Sequence, residues 1–401
     1  MKSIKQEKVF RQCLSLIPSE PLRCPLRDYR NYKLSTEALV KIFVMAQLGR
    51  WSSYEDIEEQ LRAYPELRKE LKIKEISGSQ LSRRITTLPT ELLQQVFVQM
   101  VAKIMELTRD QSGINPTIGR LKIVDATHIK LPEQLCDWAY VTKGWNVVKM
   151  HTRLVVTSAD TAFPDKILPS NGFVSDYEGS DVLVETTDAT YVMDRGYTST
   201  KRLERWIDEE LLFVVRIKKD LGIHVQETYT PTKSSVLQDA KVTFGKSAHT
   251  ARLVEFLDEK NRSYRLLTTR WDLTDEQIME IYKNRWIIEL FFKWIKQHLR
   301  VTKIWSTNPQ GIWNQMFLGL IAYGVSLMVK LQKQTTKTQW QILQLLRIYL
   351  YKPTQELEEV LNRRKKKTSK GRQKVPLCKE KKTVFVGSVA MIKTKPKKKK
   401  N

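Results

Sequence analysis

The sequence predicts a mixed α/β protein with an all-helical N-terminal part. Apolar residues repeat with helical spacing up to about residue 115, and beyond the turn-rich residues 111–117 they repeat as they do in β-strands. Residues 189–207 read as a strand, an acid, a glycine turn and a helix, the order in which open α/β sheets present a carboxylate. Residues 274–300 contain neither Gly nor Pro and predict one long helix.

Composition and charge indicate a globular protein with a nucleic-acid partner. The 401 residues are 41% hydrophobic, enough for the cores of two or three domains. Lys and Arg number 69 against 44 acids, for a formal net charge of +25. Residues 363–401 hold 17 of these basic side chains and one acid, Glu380, and the rest of the chain is still basic. We expect this Lys-rich tail to be mostly disordered.

The cysteines and apolar runs favour a cytoplasmic protein that does not contact a membrane. The four cysteines are widely spaced with no C-x-x-C pair, so neither a zinc ribbon nor a disulfide framework is indicated. The polar N-terminus carries no apolar signal core. Residues 316–329 form an apolar run that is short for a membrane span and predicts a buried core helix.

Two aspartates follow predicted strands. Residues 121–129 form a strand whose apolar residues lead to Asp125, and residues 189–194 form a strand that ends in Asp194. Residues 145–158 and 163–168 predict further strands, and 211–217 a buried one. An acid at a strand end is more often a turn former than a catalytic group, so neither aspartate alone indicates a site.

The predicted helix at 274–300 carries an unusual polar line. Thr274 and Gln277 form a capping box at its start. At about 100° per residue, Tyr282, Arg285, Glu289 and Lys296 fall on one line between two apolar stripes. The stripes are Ile281, Ile288, Phe292, Ile295 and Leu299 on one side and Trp286, Leu290 and Trp294 on the other. An internal salt-bridge ladder, with Arg285 and Glu289 paired at i,i+4, is one open interpretation.

The spacing of this line resembles the Y-R-E-K signature of a group of insertion-sequence DDE transposases. Asp125-Ala126-Thr127 and the turn Asp194-Arg195-Gly196-Tyr197 also match that group, in the expected order. The resemblance implies an RNase H-like catalytic domain over 116–335 with a β-rich insertion at 218–270. The residues of that insertion themselves predict four strands in a small separate subdomain. The helical residues 1–115 match the group only in helical character and placement, and we expect them to be a DNA-binding domain. The residues also predict a C-terminal helical region at 336–362, and the Lys-rich tail at 363–401 is not part of the group's pattern.

The resemblance assigns roles to the site residues. Asp125, Asp194 and Glu289 would be the catalytic metal ligands. Three converging carboxylates repel one another unless a hard cation joins them, so two Mg²⁺ or Mn²⁺ ions are the expected cofactors. Tyr282, Arg285 and Lys296 would contact DNA phosphates. Trp286 and Trp271 are candidates to hold a base swung out of the stack, and a place in the core is the open alternative for Trp286. In the N-terminal part, Arg83 and Arg84 lie on a short helix that can reach phosphates and base edges, although many solvated helices look alike.

The implied reaction is cut-and-paste transposition through a DNA hairpin. The partners would be double-stranded DNA, both transposon ends and target, and a second copy of the chain in a synaptic homodimer inside a bacterial cell. Two alternatives stay open. One is a metal-dependent nuclease on the same sheet, and the other is a transposase-derived DNA-binding protein that has lost catalysis.

Overall fold

The N-terminal third of the protein is helical. The computed structural model describes residues 7–299 and 303–363, together with the backbone of 385–386 and 389–390. The predicted disorder of the tail therefore concerns residues that lie almost entirely outside this description. The first helices are α1 (Val9–Leu16), α2 (Thr36–Gly49), α3 (Tyr54–Ala63), α4 (Pro65–Glu70), α5 (Gly78–Thr87) and α6 (Thr90–Leu107). As predicted, the period changes before residue 121, where the first strand begins.

The middle of the chain forms one large mixed sheet with two helices. Its elements are β1 (Leu121–Lys130), β2 (Tyr140–Thr142), β3 (Trp145–Ser158), β4 (Thr161–Asn171), α7 (Asp176–Leu183), β5 (Thr190–Met193), α8 (Thr200–Asp208), β6 (Phe213–Arg216), β7 (Ile223–Thr228), β8 (Val236–Phe244), β9 (Thr250–Leu257) and β10 (Ser263–Thr268). The strand order is β2-β3-β1-β5-β6-β10-β9-β8-β7, with β4 on the other side of β3. Strands β1, β5 and β6 run parallel, whereas β3 and β10 are antiparallel to their neighbours.

Helices return after the sheet and complete the core. They are α9 (Asp275–Lys283), α10 (Trp286–His298), α11 (Pro309–Gln332), α12 (Gln339–Tyr349) and α13 (Thr354–Asn362). Helix α11 is long and apolar enough to cross a membrane by length and composition alone, but 94% of its apolar window is buried inside the protein. It packs against α6 and α2, as expected for the core helix that the sequence predicts. Farther along the chain, Phe385–Val386 pairs with Val389–Ala390 as a two-residue antiparallel ladder.

The predicted strands are present, but they are connected differently from the expectation. The four strands predicted within 218–270 correspond to β7–β10. Instead of forming a separate small subdomain, they extend the central sheet, because β10 pairs directly with β6 through Leu266↔Arg216. The N-terminal helices likewise share one hydrophobic core with α11, and the described residues up to Leu361 cluster as one compact unit.

The long helix predicted over 274–300 is two helices, so that prediction is wrong. The capping box of Thr274 and Gln277 is confirmed at the start of α9. At its end, the backbone N–H of Arg285 bonds to the carbonyl of Tyr282, three residues back, and the Asn284 side-chain amide bonds to the Glu280 carbonyl at 2.9 Å. This tighter turn interrupts the i→i−4 hydrogen bonds of an α-helix. Hydrophobic periodicity could not reveal it, because both helices continue the same apolar stripe.

One of the two predicted apolar stripes does not enclose the polar line. The stripe beginning at Ile281 is buried throughout. In the other stripe Trp286 is 56% exposed and Leu290 is 52% exposed, so the expected second apolar wall is largely open to solvent. The polar line therefore lies at the border of the core and not within it.

A buried ion pair holds β8 to β9. Arg252 donates two hydrogen bonds to Asp239, at 2.8 and 2.6 Å, and both side chains are almost fully buried. Asp239→Ala would leave the Arg252 charge buried and unpaired, so we expect it to lower the free energy of unfolding by about 3–5 kcal/mol. Urea denaturation measures this change. The double variant Asp239→Leu/Arg252→Met is the control and should recover much of the loss, whereas a single variant within 1 kcal/mol of the parent, roughly a surface-pair effect, would contradict the prediction.

Candidate active site

Asp125 and Asp194 are neighbours at one edge of the parallel part of the sheet. Strands β1 and β5 pair in parallel up to Val124↔Met193, so the two aspartates are the next residues on adjacent strands. Adjacent strands lie about 4.8 Å apart, which places the two backbones side by side. The strand predicted over 121–129 is confirmed as β1, which runs on to Lys130, so Asp125 lies within the strand and not at its end. What ends at Asp125 is the pairing with β5, while β3 remains alongside.

The turn after β5 connects the two aspartates. Asp194 caps a short 3-10 helix, and its Oδ1 accepts a hydrogen bond from the backbone N–H of Arg195 at 2.8 Å. From the same turn, the buried Tyr197 donates its phenol O–H to Asp125 Oδ1 at 3.3 Å. A strand, an acid and a glycine turn thus form the local structure that the sequence predicts, with a tyrosine that links it to the first acid.

The two helices α9 and α10 bring the third acid to the same edge. Tyr282 donates its O–H to Asp194 Oδ1 at 3.2 Å. The Arg285 guanidinium lies between two carboxylates, 3.5 Å from Asp125 Oδ2 and 2.6 Å from Glu289 Oε1. These contacts form a network of two parts at one sheet edge. In one part Arg285 joins Asp125 to Glu289, and in the other Tyr282 holds Asp194, with the Arg285 guanidinium 5.9 Å from the Tyr282 ring centre. The i,i+4 pair expected of a plain salt-bridge ladder is present too, but it is only one part of this network.

Burial dominates the electrostatics of Asp125. Loss of hydration raises the pKa of this carboxyl to about 6. The Ala126 backbone N–H and the Arg285 charge oppose that rise, while the charges of Asp176 and Glu289 add to it. Burial and the nearby carboxylates also raise the pKa of the Tyr197 and Tyr282 phenols, so both stay protonated and able to donate at neutral pH.

Lys296 fastens α10 to the strand that carries Asp125. Its Nζ donates to Thr127 Oγ1 at 2.6 Å and to the His128 carbonyl at 2.7 Å. Burial lowers the pKa of its ammonium group. Lys296 thus binds the strand two and three residues after Asp125, and it lies on the same helix as Glu289.

The remaining predicted residues stand apart from the acids. Trp286 begins α10 and Trp271 precedes α9, and both indole rings are about half exposed. Arg83 and Arg84 lie on α5, the predicted short helix. Ser77 and Gln80 form a capping box at its N-terminus. Among the residues that the structure describes, the hydrogen bonds and ion pairs of the three acids do not involve these four side chains.

Two side chains of the network had no predicted role. Tyr197 holds Asp125, and Arg216 of β6 approaches Asp194 Oδ1 at 3.9 Å. Arg216 also stacks over the Tyr264 ring. A signal for Arg216 existed, since it is the one polar residue in the otherwise apolar run at 211–217. A charge in a buried strand needs a partner, so such a residue marks the sheet edge where an acid lies.

The donor set suits hard divalent cations. Asp125, Asp194 and Glu289 supply carboxylate oxygens, the ligands that Mg²⁺ and Mn²⁺ take. In their described positions, no three His, Cys, Asp or Glu side chains within 7–299 and 303–363 are grouped closely enough to hold an ion. The Arg285 guanidinium accounts for one of these separations, since it lies between Asp125 and Glu289. The residues fit a divalent ion by chemical type.

A sheet edge with adjacent aspartates and a helix-borne glutamate is the arrangement expected of a DDE transposase. The transposase DDE domain family matches residues 117–325, more than half of the chain, and the protein belongs to this family. Its members are DNA-transposing enzymes that generally use divalent metal ions. The match spans all three acids.

Several bacterial proteins resemble the chain over most of their length. The probable transposase for insertion sequence element IS5377 of Geobacillus stearothermophilus is 26% identical over 294 residues, which cover 71% of this chain and 74% of that protein. A candidate transposase, y4zB, of Sinorhizobium fredii is 28% identical over 59% of this chain and 67% of its own. A candidate transposase for insertion sequence element IS4SA of Synechocystis is 27% identical over 58% and 67%.

The Tyr197 hydrogen bond provides a test of the network. Tyr197→Phe keeps the buried ring and removes only the donor to Asp125, so we expect DNA cleavage to slow by about tenfold and unfolding free energy to fall by about 1 kcal/mol. Cleavage time courses and urea denaturation measure the two effects. Tyr177→Phe removes an exposed phenol from the neighbouring α7 and serves as the control. Equal rates for Tyr197→Phe and the parent protein would show that this bond does not position Asp125.

Proposed function

We propose that this protein is the transposase of a bacterial insertion sequence, with Asp125, Asp194 and Glu289 as the ligands of two Mg²⁺ or Mn²⁺ ions. The observation that carries the proposal is the register of β1 and β5, which puts the two aspartates side by side, with Glu289 joined to Asp125 through Arg285. The names of the three relatives, each a transposase, support it.

The order of strands supports an RNase H-like core. In the sheet, β3 lies beside β1 with β4 beyond it, and both of these pairings are antiparallel. The strands β5 and β6 lie on the other side of β1 and run parallel to it. Such a sheet presents the end of β5 and the point on β1 where its pairing with β5 stops at one edge, and functional residues of open α/β sheets gather at such an edge. Strands β7–β10 then serve as the β-rich insertion between the second aspartate and the glutamate.

The Tyr, Arg, Glu and Lys of α9 and α10 support membership of the Y-R-E-K group. Tyr282 orients Asp194 by its hydrogen bond, and Lys296 anchors α10 to β1. Arg285 has the planar donor pair that grips a phosphate with two bonds, and a DNA phosphate would draw it away from the carboxylates. These three residues are the proposed contacts to the transposon end.

Exposed aromatic faces near the helices suit a hairpin intermediate. Forming a hairpin requires a base to leave the stack, and aromatic rings can hold such a base. Trp286 is exposed at the start of α10 and Trp271 shortly before α9, where flipped bases could stack on them. We assign them this role.

The divalent ions, when bound, would activate water and stabilise the leaving 3′ oxygen in phosphodiester cleavage. The protein's own residues do the rest. Tyr197 and Tyr282 would fix the orientations of the two aspartates by their hydrogen bonds. Because burial disfavours the charged form of Asp125 and raises its pKa, this carboxylate needs a cation beside it to stay ionised. Arg285 and Lys296 place the phosphate that is cut.

The proposed partners follow from this chemistry. Double-stranded DNA, both the transposon ends and the target, is the substrate, and two copies of the chain would pair two ends as a homodimer in the bacterial cytoplasm. The helical residues 1–115 would bind the ends, with Arg83 and Arg84 of α5 among the contacts.

A strand-transfer assay tests the proposal. The inverted repeats that border the gene supply the end sequence, and end-bearing duplexes are incubated with the protein and Mg²⁺ or Mn²⁺. Joining of ends to a target plasmid, with hairpins at the flank or end, supports the proposal. Cleavage with neither hairpins nor joining would instead identify a metal-dependent nuclease, and DNA binding alone an inactive transposase-derived protein.

A further inference from the structure

A strongly basic cavity lies far along the chain from the acids, in the helical N-terminal part. It has a volume of about 560 Å³ and lies between α5 and the segment that leads into α2. Four cationic side chains line it, Arg30 and Lys33 from the segment and Arg83 and Arg84 from α5, and its lining contains no acid. We call it the cationic cavity.

The protein around this cavity neutralises only part of its positive charge. Asp28 forms an ion pair with Arg84 at 3.5 Å, and it also accepts hydrogen bonds from the Thr36 backbone N–H and hydroxyl, at 2.9 and 2.7 Å. Arg30, Lys33 and Arg83 form no ion pair among the residues that the structure describes. The Nε of Arg84 is buried without a hydrogen-bond partner in that same set. The cavity therefore offers several free donors to an anion.

Exposed tyrosines accompany the cations. Tyr32 lines the cavity and is 88% exposed, and Tyr29 is also exposed, with the Arg30 guanidinium 5.3 Å from its ring centre. Arg30 has a left-handed backbone with φ of 60°, a conformation that is uncommon outside glycine, at the bend that carries these side chains. Arg, Lys and Tyr are among the side chains that proteins use to contact DNA phosphates.

We propose that the cationic cavity is a site for the backbone phosphates of duplex DNA. The inference rests on the proposed function and adds a second wall, Arg30 and Lys33, to the surface of α5. Arg83 and Arg84 share one cavity with those two cations, so the four converge on a compact anion. Reading bases would instead require side chains that extend singly from the helix to base edges in a groove. The cavity therefore anchors DNA irrespective of sequence, and other parts of the protein select the transposon end.

The test measures how binding depends on salt. The full-length chain and its Arg30→Gln/Lys33→Gln variant are titrated with a fluorescent duplex of unrelated sequence at several salt concentrations. Each lost phosphate contact should reduce the slope of log affinity against log salt by about 0.9, so the double variant should lose about 1.8 and bind on the order of tenfold more weakly. The same loss is expected for a duplex that carries a transposon end. Lys69→Gln/Lys103→Gln removes two exposed cations of the same helical part and is the matched control.

Each outcome bears on the inference. An unchanged affinity and slope in the cavity variant would overturn it, and so would an equal loss in the control, which would indicate net charge alone. A loss confined to the end-bearing duplex would point to base reading instead, and a preference for duplex RNA would identify a different partner. If the parent protein joins DNA ends while the cavity variant binds unrelated duplex normally, only this inference fails. If the parent neither binds nor joins DNA, the proposed function fails with it.

Discussion

Asp125→Asn and Glu289→Gln are each expected to slow cleavage of end-bearing duplex by at least about 10³-fold, because an amide cannot supply the anionic oxygen that a divalent ion requires. The amides have nearly the same shape as the acids, so the fold is preserved. DNA binding should change by no more than about twofold, since the carboxylates contribute repulsion, not attraction, toward phosphates. Cleavage time courses in Mg²⁺ and Mn²⁺, with binding measured separately, test both statements.

Glu280→Gln is the matched control for these substitutions. Glu280 is exposed on α9 and its removal changes the net charge by the same amount. It should cleave at the rate of the parent protein. The assignment of the acids as metal ligands would be contradicted if Asp125→Asn cleaved at the full rate. It would also be contradicted if a variant lost DNA binding but cleaved saturating DNA at the rate of the parent protein.

The acids could be found in the sequence because each has a local signal. Asp194 follows a short apolar strand and precedes a glycine turn, and that local order survives unchanged in the structure. Asp125 and Glu289 were identified through spacing and resemblance, and the register of β1 with β5 then explains why the first two acids meet. Local pattern thus located the residues, while the pairing of distant strands provided their proximity.

What the sequence could not show depends on contacts between distant segments. The turn at Asn284 and Arg285 interrupts a helix whose apolar stripe remains continuous, so no change of period marks it. Trp286 is exposed because no other element that the structure describes covers it, and a helical projection contains no information about neighbouring elements. The extension of the sheet by β10 likewise follows from pairing with β6, which neither strand encodes alone.

Substitution of Arg285 should separate charge from geometry at the site. Arg285→Ala is expected to slow cleavage and joining by about 10²-fold, because it removes a two-bond grip on a phosphate. Arg285→Lys keeps the positive charge but replaces the planar donor pair with a point charge, so it should recover only part of the loss, to about tenfold below the parent. Rates at saturating DNA and divalent ion measure the effect.

The comparison of these two variants separates the effect of charge from that of guanidinium geometry, and Lys283→Ala is the control. Lys283 is exposed at the end of α9, two residues before Arg285. Its substitution by alanine removes the same charge and should leave the rate nearly unchanged. A lysine variant with the full rate would show that charge alone suffices, in which case Arg285 serves the site as a counter-ion and not as a phosphate fork. Equal losses for lysine and alanine would instead assign the whole effect to guanidinium geometry. An intermediate lysine rate is expected because the structure shows Arg285 contacting two carboxylates through separate nitrogens, a task that a single ammonium group can share only in part.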